Sequence, residues 1–290
     1  HVQEVAMATK PPELEVNLKK APSPRLVIDQ AAAPHGSRAQ LLKSAITSNT
    51  KIHTKVDRVF SDTDRKAADA LTYLHKSGFD ENQLTKILSV GTVGVQSARK
   101  LVPTRWSITA TDDILGKKLL KEIKDNKILE PRIYEGDFMG NYYYIVCFSR
   151  AFSYELFELY GPKFKQGIEQ YSTDYESFFG RKKYAEHCAG GYYSVRLALL
   201  EHFQKIKRQA STLVLRVITE EYTTPLGVWV TREATRKALA SQPITHIEES
   251  MLIPFVLQRI KRKFGIDLTN LIKRSKTIQE RKQRTLSQWN

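Results

Sequence analysis

The chain has 290 residues, of which 41% are hydrophobic and 10% aromatic. That is enough for a packed core and excludes disorder over most of the length. Forty-six Lys and Arg against 31 Asp and Glu leave a formal charge of +15, which favours an anionic partner, either nucleic acid or a membrane surface. No apolar run approaches the roughly 18 residues that span a bilayer, no secretory leader opens the sequence, and Cys147 and Cys188 lack the spacing of a disulfide scaffold or a thiolate zinc site. The expectation is a soluble cytoplasmic protein with no membrane partner, associated with the nucleoid where that anionic partner is DNA.

The first residue is His1 rather than Met, and residues 2–9 read as the last turns of a helix, so a preceding segment is expected. Residues 1–54 carry Pro11, Pro12, Pro22, Pro24 and Pro34 and predict an extended arm with a short strand at 26–28. Three helices are expected next. Ser61, Asp62 or Asp64 can cap the first, with Ala67, Ala68, Leu71 and Leu74 on one face and Gly78 as its stop. Asp80 can cap the second, Gly91 closes it, and residues 93–101 make a short third. After Pro103, residues 106–110 alternate like a strand, Asp112 or Asp113 can cap a helix through Ile123, and residues 128–134 and 142–148 read as strands about a 136–140 turn.

Residues 151–180 carry five acids against two lysines in an otherwise basic chain. The strongest helical pattern lies at 192–208, followed by strands at 212–218 and 226–230 and a helix at 232–239. Residues 242–290 hold ten Lys and Arg against four acids, with helices at 255–264 and 268–273 and Pro254 near a helix start. Strands and helices interleave without a sustained βαβ rhythm, so the predicted class is α+β, a mixed sheet flanked by helices. The implied organisation is an arm (1–54), two larger regions (55–180 and 181–273) and a flexible tail (274–290).

Two constellations point to function. The chain ends Gln283-Arg-Thr-Leu286-Ser-Gln-Trp289-Asn290, after a polar stretch at 274–282 that reads as a solvated tether. Gln283, Leu286 and Trp289 are spaced by three, so on a 3₁₀ turn they share one face. A glutamine, an aliphatic plug and an aromatic plug in that order form a ligand for a sliding clamp such as PCNA. Asn290 stands where a second aromatic is often found, which predicts weakened rather than abolished binding. The second constellation is the run from Val102 through Pro103, Thr104, Arg105, Trp106, Ser107, Ile108, Thr109, Ala110 and Thr111 to Asp112 and Asp113.

That run resembles the VPTRWSITA-V/T-DD block of the archaeal Nre DNA-repair proteins. The likeness continues upstream through Asp57-Arg58-Val59-Phe60, Asp62-Thr63-Asp64 and Ser89-Val90-Gly91. Downstream it takes in Gly140-Asn141-Tyr142, Gly190-Gly191-Tyr192-Tyr193, Arg208-Gln209-Ala210-Ser211 and Pro225 to Val230, so it covers nearly the whole chain. The resemblance implies DNA repair, and a terminal clamp-interacting motif that falls on Gln283, Leu286 and Trp289. Many members also carry an N-terminal cysteine cluster that looks zinc-binding. The given sequence contains none, so no metal is carried over, and no catalytic chemistry is implied.

The residues themselves offer further candidates. Asp112 and Asp113 could hold Mg²⁺ with Arg105 beside them, the core of a metal-dependent nuclease or other DNA-processing enzyme, although Asp at a helix start is also ordinary capping. Arg105 and Trp106 could grip a phosphate and stack a base. Gly190 and Gly191, read as preceding the strong helix, leave backbone N–H groups for a phosphate, with Arg196 one turn on and Arg181, Lys182 and Lys183 upstream. Lys207 and Arg208 close that helix with cations. His187 beside Cys188 reads as a structural pair rather than a nucleophile, and Tyr142 to Tyr144 read as strand packing. The resulting expectation is a DNA-repair factor that binds DNA and docks on the sliding clamp. A DNA-processing enzyme is the alternative, and an RNA-binding or ribosome-associated protein a second one.

Overall fold

The computed structural model describes residues 1–27, 35–223 and 226–282. The class is the expected α+β, and the chain divides into two compact units, His1–Lys118 and Leu119–Asn290.

The first unit opens with α1 (Val2–Met7). Instead of an extended arm with one short strand, β1 (Leu14–Leu18) pairs antiparallel with β4 (Leu41–Ile46), and β2 (Leu26–Val27) with β3 (His35–Gly36). The third position of the expected strand, Ile28, lies outside the described residues. Next comes α2 (Thr54–Ser61), a helix the sequence pattern did not reveal, capped by the His53 ring accepting from the Lys55 amide at 3.1 Å. In α3 (Ala67–Lys76) the apolar face is as expected, but the cap is Lys66 without a side-chain bond. Asp62 instead folds a turn, accepting from the Arg65 amide at 3.1 Å and pairing with its guanidinium at 3.0 Å. Asp80 does cap α4 (Glu81–Ser89), at 2.8 Å from the Gln83 amide. The expected third helix reduces to one 3₁₀ turn, Gln96–Ala98. Gly91, at φ +68°, is forced: a Cβ there would lie 2.6 Å from the Lys100 carbonyl oxygen.

The helix α5 (Thr104–Ile123) contains the point at which the two units divide. It overturns the strand expected at 106–110. Pro103 sits just before the helix, and its carbonyl accepts from the Trp106 and Ser107 amides at 2.9 and 3.0 Å. The apparent alternation of Trp106, Ile108 and Ala110 carries no buried face. The buried positions are Ser107, Thr111, Asp112, Leu115, Gly116, Leu120 and Ile123, a helical period built partly from polar residues.

The second unit holds a five-stranded sheet in the order β6 (Arg132–Phe138), β7 (Asn141–Phe148), β11 (Ser211–Ile218), β8 (Ser153–Tyr160), β9 (Tyr171–Glu176). A two-stranded ladder of β5 (Lys127–Ile128) with β10 (Arg208–Gln209) stands apart from it. The β11 strand runs parallel to β8 and antiparallel to β7, which makes the sheet mixed. A tight turn at Met139 and Gly140, with φ of 49° and 73°, joins β6 to β7, so Gly136 lies inside β6 rather than in the turn. Both faces of β7 are covered. Tyr143, Ile145 and Cys147 join the core under α7 (Ala189–Ile206) and α8 (Gly227–Ala240), while Tyr144, Val146 and Phe148 join that under α9 (Leu252–Phe264) and α10 (Thr269–Ile272). The strand expected at 226–230 is the first turn of α8, whose buried Val230, Ala234 and Ala238 recur every four residues. A short α6 (Gly161–Lys165) follows β8.

The segment read as a solvated tether is folded for most of its length. Ser275 and Thr277 are buried, and α11 (Lys276–Lys282) is pinned to the sheet by Glu155 on β8. That carboxylate accepts from the Ser275 hydroxyl and from the amides of Lys276 at 3.0 Å and Thr277 at 2.9 Å.

Candidate nucleic-acid interface

The connection from β9 to α7 gathers most of the basic residues singled out in the sequence, but distributes them differently. The chain leaves β9 through a turn closed by the Gly180 amide donating to the Ser177 carbonyl at 2.9 Å. Arg181 follows and faces inward. Its guanidinium pairs with Asp174 at 2.9 Å, donates to the carbonyls of Tyr175, Lys183 and Tyr184 at 3.1, 3.1 and 2.9 Å, and lies 5.2 Å from the Tyr192 ring. A guanidinium with its donors committed to one carboxylate and three carbonyls organises the loop and has little left for a phosphate. Lys182 and Lys183 are exposed on the loop it shapes.

The proposed phosphate cradle is already filled. Gly190 and Gly191 lie inside the first turn of α7 rather than ahead of it. The amides of His187 and Cys188, at the positive end of that helix, donate to Asp174 at 3.0 and 2.7 Å. Gly191 is fixed by a second carboxylate, since a Cβ there would come 2.7 Å from Glu158 Oε1. Arg196 is fully buried and pairs with Glu176 at 3.1 Å, so it too is structural. Glu158 pairs with Arg216, which also donates to Asn141 Oδ1 at 2.6 and 3.0 Å. Three of the five acids in the 151–180 region, Glu158, Asp174 and Glu176, thus serve as counter-ions for buried or half-buried arginines. Burial, with Glu158 and Asp174 nearby, pushes the Cys188 thiol well above its ordinary range, and burial pushes that of Cys147 up to about 12. Neither is poised as a thiolate, and His187 beside Cys188 makes no nucleophilic pair.

Lys207 and Arg208 belong to the other end of α7, about 27 Å along an 18-residue helix. Lys207 is the exposed left-handed C-cap at φ 54°, and Arg208 donates to its carbonyl at 2.9 Å. In the first unit, Arg105 and Trp106 occupy the opening turn of α5, both exposed, Trp106 at 62%. That leaves the indole face open and rules out a core role.

Asp112 and Asp113 are neither caps nor a paired site, being mid-helix residues about 100° apart around α5. Asp112 is fully buried, whereas Asp113 forms a surface pair with Lys117 one turn on, at 2.6 Å. Among the described residues, no three His, Cys, Asp or Glu side chains are gathered closely enough to hold a metal ion. Gln283, Leu286 and Trp289 lie outside the described residues.

The sequence reading overlooked two aromatics on the same loop. Phe179, at the turn after β9, is 87% exposed, while its neighbour Phe178 packs on the core beneath Lys124, whose Nζ is 4.5 Å from the Phe178 ring and 5.9 Å from that of Phe179. Tyr184, half exposed, stacks at 5.4 Å and 29° on Tyr193, whose hydroxyl accepts from the Ala185 amide at 2.9 Å. The signal was available in the run from Phe178 to Tyr184, where aromatic residues flank a basic triplet.

Comparison with known proteins places the chain in a family. Residues 1–164 match the family described as archaeal Nre, N-terminal, and residues 176–289 match archaeal Nre, C-terminal. The chain belongs to the archaeal Nre family. Among its relatives, the DNA repair protein NreB of Archaeoglobus fulgidus is 35% identical over 98% of this chain and 72% of its own length. The DNA repair proteins NreA of Haloferax volcanii and of Archaeoglobus fulgidus are 36% and 37% identical, each over 83% of this chain and 59% and 62% of their own lengths. The chain therefore spans about three fifths of the two NreA proteins. No solved structure matches this Nre chain. No helix among the described residues is long and apolar enough to cross a membrane.

Proposed function

We propose that this Nre chain is a DNA-repair factor that binds DNA through its exposed basic surfaces and is recruited to the sliding clamp by its terminal peptide. The repair role is carried over from relatives named DNA repair proteins that are similar along nearly all of this chain. For DNA binding, the observation that carries most weight is the loop after β9: its inward arginine is spent on architecture, and Lys182 and Lys183 are left at the surface. A net charge of +15 supplies the long-range attraction. Lys207, Arg208, Arg105 and Trp106 are additional contacts in this reading, whereas Arg181, Gly190, Gly191 and Arg196 support the fold.

Clamp recruitment rests on Gln283, Leu286 and Trp289, which come after residue 282 in the sequence. Calorimetry of the clamp against the full chain and against a peptide of residues 279–290 tests it. A micromolar dissociation constant is expected for both, because an eight-residue ligand buries little and loses ordering entropy. Trp289→Ala should weaken binding at least tenfold, as a buried aromatic anchor dominates such contacts, while thermal stability is unchanged. Absence of heat and of peptide competition well above micromolar concentration would remove the clamp from the account.

A further inference from the structure

We infer that the loop between β9 and α7 is a stacking platform for unpaired bases, so that this chain prefers single-stranded over double-stranded DNA. The inference rests on the DNA-binding reading above and narrows it to a class of substrate. Phe179, 87% exposed, gains nothing from the protein's own core, although its neighbour Phe178 is packed there. Turn tips ordinarily carry small or polar residues. The second aromatic, Tyr184, presents a half-exposed ring whose opposite face is held by stacking on Tyr193, itself 4% exposed and fixed through its hydroxyl. Neither ring depends on a floppy backbone. The Arg181 guanidinium ties the carbonyls of Tyr175, Lys183 and Tyr184 together, and the Ser177–Gly180 turn holds the tip.

Charge decides which occupant suits these rings. Lys124 sits over the Phe178 and Phe179 rings, and Lys182 and Lys183 are exposed between the two aromatics, against one exposed acid, Glu186. Open aromatic faces interleaved with cations match the chemistry of a nucleic-acid strand whose bases are unstacked, with rings taking bases and lysines taking phosphates. An intact duplex offers phosphates but keeps its bases stacked inside, so it engages the lysines without the rings. A protein partner with an apolar acidic surface is the competing occupant. It is disfavoured by Lys182 and Lys183, which are exposed in the stretch of chain from Phe179 to Tyr184 and put charge where such a partner would need apolar surface.

The test is fluorescence anisotropy on the full chain with a 20-nucleotide single strand of DNA, the matching blunt duplex and the same sequence as RNA. The single DNA strand should bind best. Phe179→Ala and Tyr184→Ala should each weaken single-strand binding roughly tenfold and move the single-strand to duplex ratio toward one, and Phe179→Trp should restore it. The slope of log K against log salt should stay unchanged in those variants, while Lys182→Ala should reduce it by about 0.7 on single strands. Equal affinity for strand and duplex, with the ratio unmoved by Phe179→Ala, would overturn the stacking inference and leave DNA binding standing. Tighter binding of the RNA would overturn it in favour of an RNA platform. No binding to any of the three would overturn the DNA-binding reading itself.

Discussion

At position 112 the chain buries a carboxylate inside α5, and at position 113 it places one at the surface beside Lys117. Two adjacent aspartates that look alike in sequence therefore carry different energies. Asp113→Asn should change stability by less than about 0.5 kcal/mol, the range of an exposed i,i+4 pair. Asp112→Asn alters a buried, partnered group and should cost about 1–3 kcal/mol. Urea denaturation of the two variants separates them, and equal midpoints would contradict the burial assignment. His202 gives a pH-dependent counterpart. It shares a 3.0 Å hydrogen bond with the Tyr134 hydroxyl, and burial, aided by Lys205 and Arg132, lowers its pKa to about 4. Above about pH 6.5 the imidazole is neutral in both folded and unfolded chains. Between about 6.5 and 4 the unfolded chain binds a proton that the native one resists, so stability falls as pH falls through that window. His202→Gln, which keeps a hydrogen-bonding group without titrating there, should flatten the melting temperature over pH 4.5–6.5. An identical profile in variant and parent would contradict the assignment.

At the scale of elements, legibility followed the number of periods on offer. The 18 residues of α7 and the eight of β11 were visible because each repeats its pattern several times. The five-residue runs at 106–110 and 226–230 offer a single alternation, which a helix satisfies equally, and in α5 the buried stripe is disguised by Ser107 and Thr111. The β8 and β9 strands were hidden by Glu155, Glu158, Asp174 and Glu176, acids that are acceptable inside because each has a cation or several donors. No local pattern announces such a partner. The same reason concealed α11, a charged stretch that reads as solvent-exposed until Glu155 is found beneath it. Glu155→Ala should release that helix at a cost of about 2–4 kcal/mol. Hydrogen exchange over residues 270–282 should then accelerate while β7 and β11 stay protected. Unchanged exchange there would contradict Glu155 as its anchor.

For the whole molecule, family and α+β class were readable from motif blocks and periodicity, whereas the division of labour among cations was not. Eight Lys and Arg against two acids between residues 181 and 216 suggest one continuous basic face. Folding spends Arg181, Arg196 and Arg216 on buried or half-buried carboxylates and leaves Lys182, Lys183 and Lys207 outside. Reversing Arg181 would test the loop's architecture rather than its contact with DNA, so the informative changes lie one and two residues further on. If this surface holds DNA through phosphates, DNA affinity must fall steeply in a salt titration. With about four phosphates neutralised, log K against log salt should fall with a slope near −3 to −4. The Lys182→Glu/Lys183→Glu double variant should flatten that slope with its melting temperature unchanged. A slope near zero in the parent protein, or one that the double variant leaves untouched, would contradict the account.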